Sequence, residues 1–179
     1  MRSSTLIVSL LTVLSSCGNN NEGKIIDGKR EGTWKTYYSN GNIKEIANYK
    51  SDSFHGSRVC YNKNGNLSSR AHYNMGTFVD SFFLYYENGQ MRWESWFDSL
   101  GRAQGLYKIY HENGQISEIG KTINDLTIDT VRGYYSNKRL QYLIPYKNGK
   151  KDGTVLYFND RGELTKTELY RNDSLINSK

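Results

Sequence analysis

Proline occurs once in these 179 residues, cysteine twice and histidine three times. The longest uncharged apolar run, Thr5–Leu14, has ten residues, about half of the roughly 20 that a membrane-spanning helix needs. Only 36% of the chain is hydrophobic and its mean hydropathy is −0.74, which excludes a large aliphatic core. No sustained 3.6-residue period appears, so helices are not expected. Catalytic signatures are also missing: there is no Walker loop, no G-x-S-x-G and no H-E-x-x-H. His55, His72 and His111 have no Cys, His or Asp at metal-ligand spacing. Glu87 and Glu112 recur with a turn and read as its solvated flanks rather than as an acid/base pair. These absences speak against an enzyme and imply neither cofactor nor metal. The net charge of +6 is scattered over the chain without a polybasic run, so no nucleic-acid partner is expected.

What is abundant is aromatic residues, glycine and asparagine. Aromatics reach 13%, with 15 tyrosines, beside 17 glycines. That is too much apolar ring surface for a solvated disordered tail, and the mixture suits short strands and tight turns. The phrase Tyr37-Tyr38-Ser39-Asn40-Gly41-Asn42-Ile43 returns from Tyr61, Tyr85, Tyr110, Tyr134 and Phe158. The steps are 24, 24, 25, 24 and 24 residues, giving six units with one insertion near Ser99–Gly101. A Gly or Asp opens each unit: Gly32, Gly56, Asp80, Gly105, Asp129 and Gly153. A second aromatic column falls at Tyr49, Tyr73, Phe97, Tyr146 and Tyr170, and a half-unit at Ile25–Gly32 leads the array.

Each unit reads as a β-hairpin. Asn-Gly between strand-like runs is the strongest short hairpin signal, and a type I′ turn is expected there. Strand one would run as Thr33–Tyr38 and strand two as Ile43–Tyr49. Unit five departs from the pattern, with Lys138 at the turn Gly and Gly133 inside a strand, which places its turn and pairing in question. Alternation predicts that the first aromatic, the Ile/Leu/Met position and the second aromatic form one ridge on one face. A lone hairpin is marginal, so the units must fold by stacking on one another. The expected architecture is all-β: tandem antiparallel hairpins in one elongated sheet of about twelve strands.

The first 16 residues differ from all that follows, and with their short apolar run they read as a signal peptide. Leu14-Ser15-Ser16-Cys17 resembles the lipobox of bacterial lipoproteins, which implies cleavage before Cys17 and a lipid on its sulfur. Residues 17–24 read as a polar tether, 25–173 as the repeat domain and 174–179 as a polar tail. Cys60 reads as a small apolar strand residue, and one remaining thiol cannot form an internal disulfide.

The pattern Gly-x-Trp-x-x-Tyr-Tyr-x-Asn-Gly at Gly32–Gly41, closed by Tyr-x-Asn-Gly at Tyr146–Gly149, resembles the bacterial MORN-repeat variant. YwqK-type proteins, labelled as toxin–antitoxin antitoxins, belong to that family. The resemblance spans about residues 25–173 and implies a single sheet of consecutive hairpins with no catalytic residues.

Residues that break the repeat pattern are the candidates for contact with a partner. Trp96 has no counterpart in other units, and alternation predicts that Phe82 and Tyr86 share its face. The expected function is a non-catalytic lipoprotein of the bacterial cell envelope, held to the membrane through Cys17. It would present its sheet to a protein partner, a toxin if the role is immunity or antitoxin-like. The alternative is a module that binds glycan or lipid with stacked aromatics.

Overall fold

The computed structural model describes residues 21–179. The expected signal peptide and the first four tether residues, Cys17 among them, lie outside the described residues. Among the described residues every element is a strand, and all fifteen join one open antiparallel sheet. In chain order they are β1 (Glu22–Ile26), β2 (Lys29–Tyr37), β3 (Ile43–Lys50), β4 (Ser53–Tyr61), β5 (Leu67–Asn74), β6 (Thr77–Tyr85), β7 (Met91–Phe97) and β8 (Gly105–Tyr110). Then follow β9 (Ile116–Ile123), β10 (Leu126–Tyr134), β11 (Leu140–Lys147), β12 (Lys150–Lys151), β13 (Gly153–Phe158), β14 (Leu164–Arg171) and β15 (Ser174–Ser178). Each strand pairs with its neighbours in sequence, except that β12 pairs only with β11, which pairs onward with β13. The sheet starts inside the expected tether and runs through the expected polar tail, which forms all of β15. With fourteen strands side by side, it spans about 60 Å at ~4.8 Å per strand.

The turns differ from expectation. At Asn40-Gly41 only the glycine has positive φ, at 85°. Tyr38 N–H donates to Asn42 O at 2.8 Å and Gly41 N–H to Tyr38 O at 3.0 Å. That is a three-residue loop, a type I turn closed by a left-handed residue. The Asn side chain instead caps the loop, Asn42 N–H donating to Asn40 Oδ1 at 3.1 Å. The type I′ turns lie at the other end of the sheet. They sit at Asp27-Gly28, Ser51-Asp52, Met75-Gly76, Asn124-Asp125, Asn148-Gly149 and Asn172-Asp173, where both residues have positive φ. Unit five conforms: Lys138 takes φ 70° and its N–H donates to Tyr135 O at 2.9 Å, as Gly41 does in unit one. The Gly/Asp column is not a turn. Gly32, Gly56, Asp80 and Asp129 lie within strands, Gly105 and Gly153 begin them, and all have positive φ. Gaps in the ladder fall beside them, as between Ala71↔Phe82 and His72↔Val79, so they are bulges that increase local twist.

Successive units are tied at both ends. Tyr38 Oη donates to Tyr61 O at 2.8 Å, Tyr86 Oη to Tyr110 O at 2.6 Å and Tyr135 Oη to Phe158 O at 2.8 Å. His111 Nε2 bonds Tyr134 O at 2.8 Å in the same column. Beside them Asn40, Asn88, Asn113 and Asn137 each donate through Nδ2 to a carbonyl in the next loop. At the opposite end Asp52, Asp125 and Asp173 accept from the backbone N–H of Arg30, Ala103 and Lys151. These bonds recur with the repeat and give a single-layer sheet a lateral framework that does not depend on a covering layer.

Candidate functional site

The two faces follow from the register. Directly paired residues share a face, so Trp34↔Ala47, Arg58↔Ala71, Phe82↔Ser95 and Tyr107↔Gly120 all point to one side. In each of these pairs a large side chain on strand one faces a small one on strand two. The small partners Ala47, Ala71 and Ser95 are buried, because the large side chains lie down over them. The second aromatic column belongs to this face through Gly32↔Tyr49 and Gly56↔Tyr73. Tyr49 and Tyr73 are 7% and 6% exposed, and they are the aromatic core.

The first aromatic column does not join them. Tyr37 lies three residues beyond Trp34 on an unbroken β2, so it projects to the opposite face. Tyr110 donates there to Glu94, beside Lys108. The expected single ridge is therefore two columns on two faces. The register shifts between Thr36 and Tyr37, and at the equivalent step of every unit, separate them.

On the first face the rings form a continuous row. Centroids lie 6.4 Å apart for Trp34–Tyr49, 4.8 Å for Tyr49–Phe54, 5.1 Å for Phe54–Tyr73 and 4.4 Å for Tyr73–Phe78. Phe78 continues to Phe97 at 5.8 Å and to Phe82 at 5.6 Å, and Phe82 reaches Trp93 at 5.2 Å. The guanidinium of Arg30 sits 4.0 Å above Tyr49 and that of Arg58 4.8 Å above Phe54. Eight rings thus cross β2 to β7, and Trp34, Phe54, Phe78, Phe82, Trp93 and Phe97 remain partly exposed. Phe54 and Phe78 were not legible as site residues, since their column reads Arg30, Phe54, Phe78 and then Ala103.

Beyond β7 the same face turns polar. Glu118 accepts from Tyr107 at 2.9 Å and also from Tyr142. Burial, then the neighbouring carboxylate, pushes both phenols well above their ordinary range. Glu168, 7% exposed, accepts from Tyr157 at 3.1 Å and Tyr170 at 3.2 Å. Its ion pair with Lys166 at 2.5 Å holds its carboxyl below the usual range. Glu118 is thus held by tyrosines of β8 and β11, and Glu168 by Tyr157 of β13, Tyr170 of its own strand and Lys166.

The three predicted contact residues do not come together. Phe82 belongs to the aromatic row. Tyr86 spends its hydroxyl on Tyr110 O and serves to tie two units. Trp96 pairs with Ser81 and packs edge-on against Phe83 at 6.2 Å, on the opposite face from Phe82. The alternation itself requires this, because Phe82 faces Ser95 and not Trp96. Among the described residues no three His, Cys, Asp or Glu side chains are grouped to hold a metal.

A sheet of stacked hairpins with a 24-residue period defines the class as a β-hairpin repeat protein. The family model described as MORN repeat variant matches the chain over residues 30–51, 54–75 and 103–124, so these three segments are similar to that repeat. The starts of these segments follow the same phase as the internal repeat. No curated protein matches the chain. A crystal structure of a porin-like protein from Bacteroides uniformis aligns over 93% of this chain and 91% of that one, at 10% identity and a TM-score of 0.22. No common fold follows from a score that low.

Proposed function

We propose that the chain is a non-catalytic lipoprotein of the bacterial cell envelope that offers its aromatic face to a protein partner. One observation carries this reading. The ring row from Trp34 to Trp93 is partly exposed, and every described element lies within the sheet itself, so none forms a layer over it. Aromatic rings flanked by arginines are the composition of contact centres, where a few such residues dominate binding. The lipid tether at Cys17 would hold the sheet near the membrane, and an immunity or antitoxin-like role is the specific form we infer.

Capture from envelope extract tests the proposal. A single protein should be recovered with the wild-type chain and with Arg132→Gln, but not with Phe54→Ala/Phe82→Ala. Equal recovery by the double variant, with its sheet intact by circular dichroism, would overturn it. A toxin-like reading frame beside the gene is the expected genetic counterpart of the immunity form.

A further inference from the structure

The face opposite the aromatic row carries a different group of residues. Arg70 pairs with Phe83, Ser57 with His72, and Ser81 with Trp96. The Arg70 guanidinium stacks 4.9 Å above the Phe83 ring, and Phe83 meets Trp96 edge-on. Beside this stack lies a depression of about 240 Å³ lined by Ser57, Arg70, Ala71, His72 and Ser81. The bulge at Asp80–Ser81, where the β5–β6 ladder skips both residues, opens it.

The polar groups around the depression are unspent. Among the described residues, neither the two serine hydroxyls, the His72 ring nor the Trp96 indole N–H has a protein hydrogen-bond partner, and Arg70 has no carboxylate within 4.0 Å. Several other basic residues on this face are engaged, Lys35 with Glu22, Lys108 with Glu94 and Lys121 with Asp129, while Arg132 reaches only the carbonyl of Thr130 and has no ring stacked on it. Glu94, the nearest carboxylate across from Phe83, is held by Lys108 and Tyr110 at 2.7 and 2.8 Å. Arg70 is thus an exposed cation, pre-oriented by an aromatic ring, with its planar edge free for a carboxylate.

We propose that this depression is a binding site for an acidic saccharide, a uronic-acid unit within an envelope glycan. Arg70 takes the carboxylate in a fork. Ser57, Ser81 and His72 bond the ring hydroxyls, and the Trp96 indole covers the apolar edge of the sugar. A single carboxylate would need only Arg70. The row of hydroxyl and imidazole groups set one strand apart matches a polyhydroxylated ring, which favours a saccharide over an acidic peptide. The site is independent of the protein contact proposed for the other face.

Isothermal titration of the chain with oligomers of galacturonic, glucuronic and mannuronic acid, each beside its methyl ester, tests the assignment. At least one acid oligomer should bind ten times more tightly than its ester. Arg70→Gln and Arg70→Lys should each weaken that binding tenfold or more, the second because a charge without the fork is insufficient. Trp96→Ala should weaken it severalfold, and Phe54→Ala/Phe82→Ala on the other face should leave it unchanged. Thermal melts confirm that the Arg70 variants fold. Absence of binding by all three acids, equal binding of the esters, or wild-type affinity in Arg70→Gln would overturn the proposal. Equal affinity for hexaglutamate would also overturn it and assign the patch to an acidic protein segment.

Discussion

Tyr142 and Gly133 stand directly opposite one another on β11 and β10, and the tyrosine ring occupies the space a side chain at the glycine would need. A β-carbon built on Gly133 would lie 2.1 Å from that ring. Gly120 has the same relation to Tyr107, at 2.6 Å. Both rings then reach across to Glu118. Glycine here serves close approach, since neither residue has positive φ. Gly133→Ala should therefore destabilise by about 1–3 kcal/mol through overpacking, although alanine is ordinarily the better residue within a strand. Urea melts of Gly133→Ala and of Gly133→Ala/Tyr142→Ala check this. The double variant should lose less than the sum of the two single changes, because removing the ring relieves the collision.

The Tyr107–Glu118–Tyr142 cluster makes a prediction about alkaline pH. Both phenols are raised above the ordinary tyrosine range, first by burial and then by the Glu118 carboxylate. A group whose folded pKa lies above its unfolded value stabilises the fold below the unfolded pKa, and that contribution is lost as pH rises through the folded one. Ultraviolet titration should show two tyrosines ionising later than the rest, together with unfolding. Glu118→Gln should bring both phenols down and move the alkaline transition to lower pH.

The tyrosine ties predict a graded loss. Tyr38→Phe, Tyr86→Phe and Tyr135→Phe each remove one hydrogen bond to the next unit and leave the ring in place. Each should cost about 1 kcal/mol, and the three together should add, because they lie in separate units. Tyr86→Phe should not change partner capture, since its hydroxyl is already committed to Tyr110 O. A loss of capture with unchanged stability would return Tyr86 to the contact site.

The anchor is tested through Cys17. Cys17→Ala should abolish incorporation of a clickable fatty acid and leave an uncleaved or soluble precursor, because no thioether can form. Unchanged labelling would remove the lipoprotein assignment.

Much of the fold was legible because recurrence is a property of sequence. The columns at Tyr37, Tyr49 and Asn40-Gly41 repeat in a fixed phase, and only a stacked hairpin array satisfies that phase. The turn types were not legible. Asn-Gly suits a type I′ turn, yet the loop from Tyr38 to Asn42 holds one residue too many and closes with the glycine alone left-handed. The type I′ turns fell instead on pairs as varied as Ser51-Asp52 and Met75-Gly76, whose signal in sequence is weaker. The expectation that Phe82 and Trp96 share a face failed at the same level. Phe82 and Trp96 differ by an even number of residues, but they lie on two strands, and only the pairing of Ser81 with Trp96 determines which faces they occupy.

By itself, then, the sequence determined the period, the number of units and the all-β class, because turn residues and alternating side chains act over a few positions along the chain. The tertiary structure alone decided which columns share a face, where the rings form a row, and that Arg70, Ser57, His72 and Ser81 surround one depression. The register between strands sets these relations. A two-residue bulge at Gly32, Gly56, Asp80 and Asp129, and a one-residue bulge beside each loop, change which side chains are neighbours. Such a bulge depends on how each strand pairs with the next, and no single strand records it.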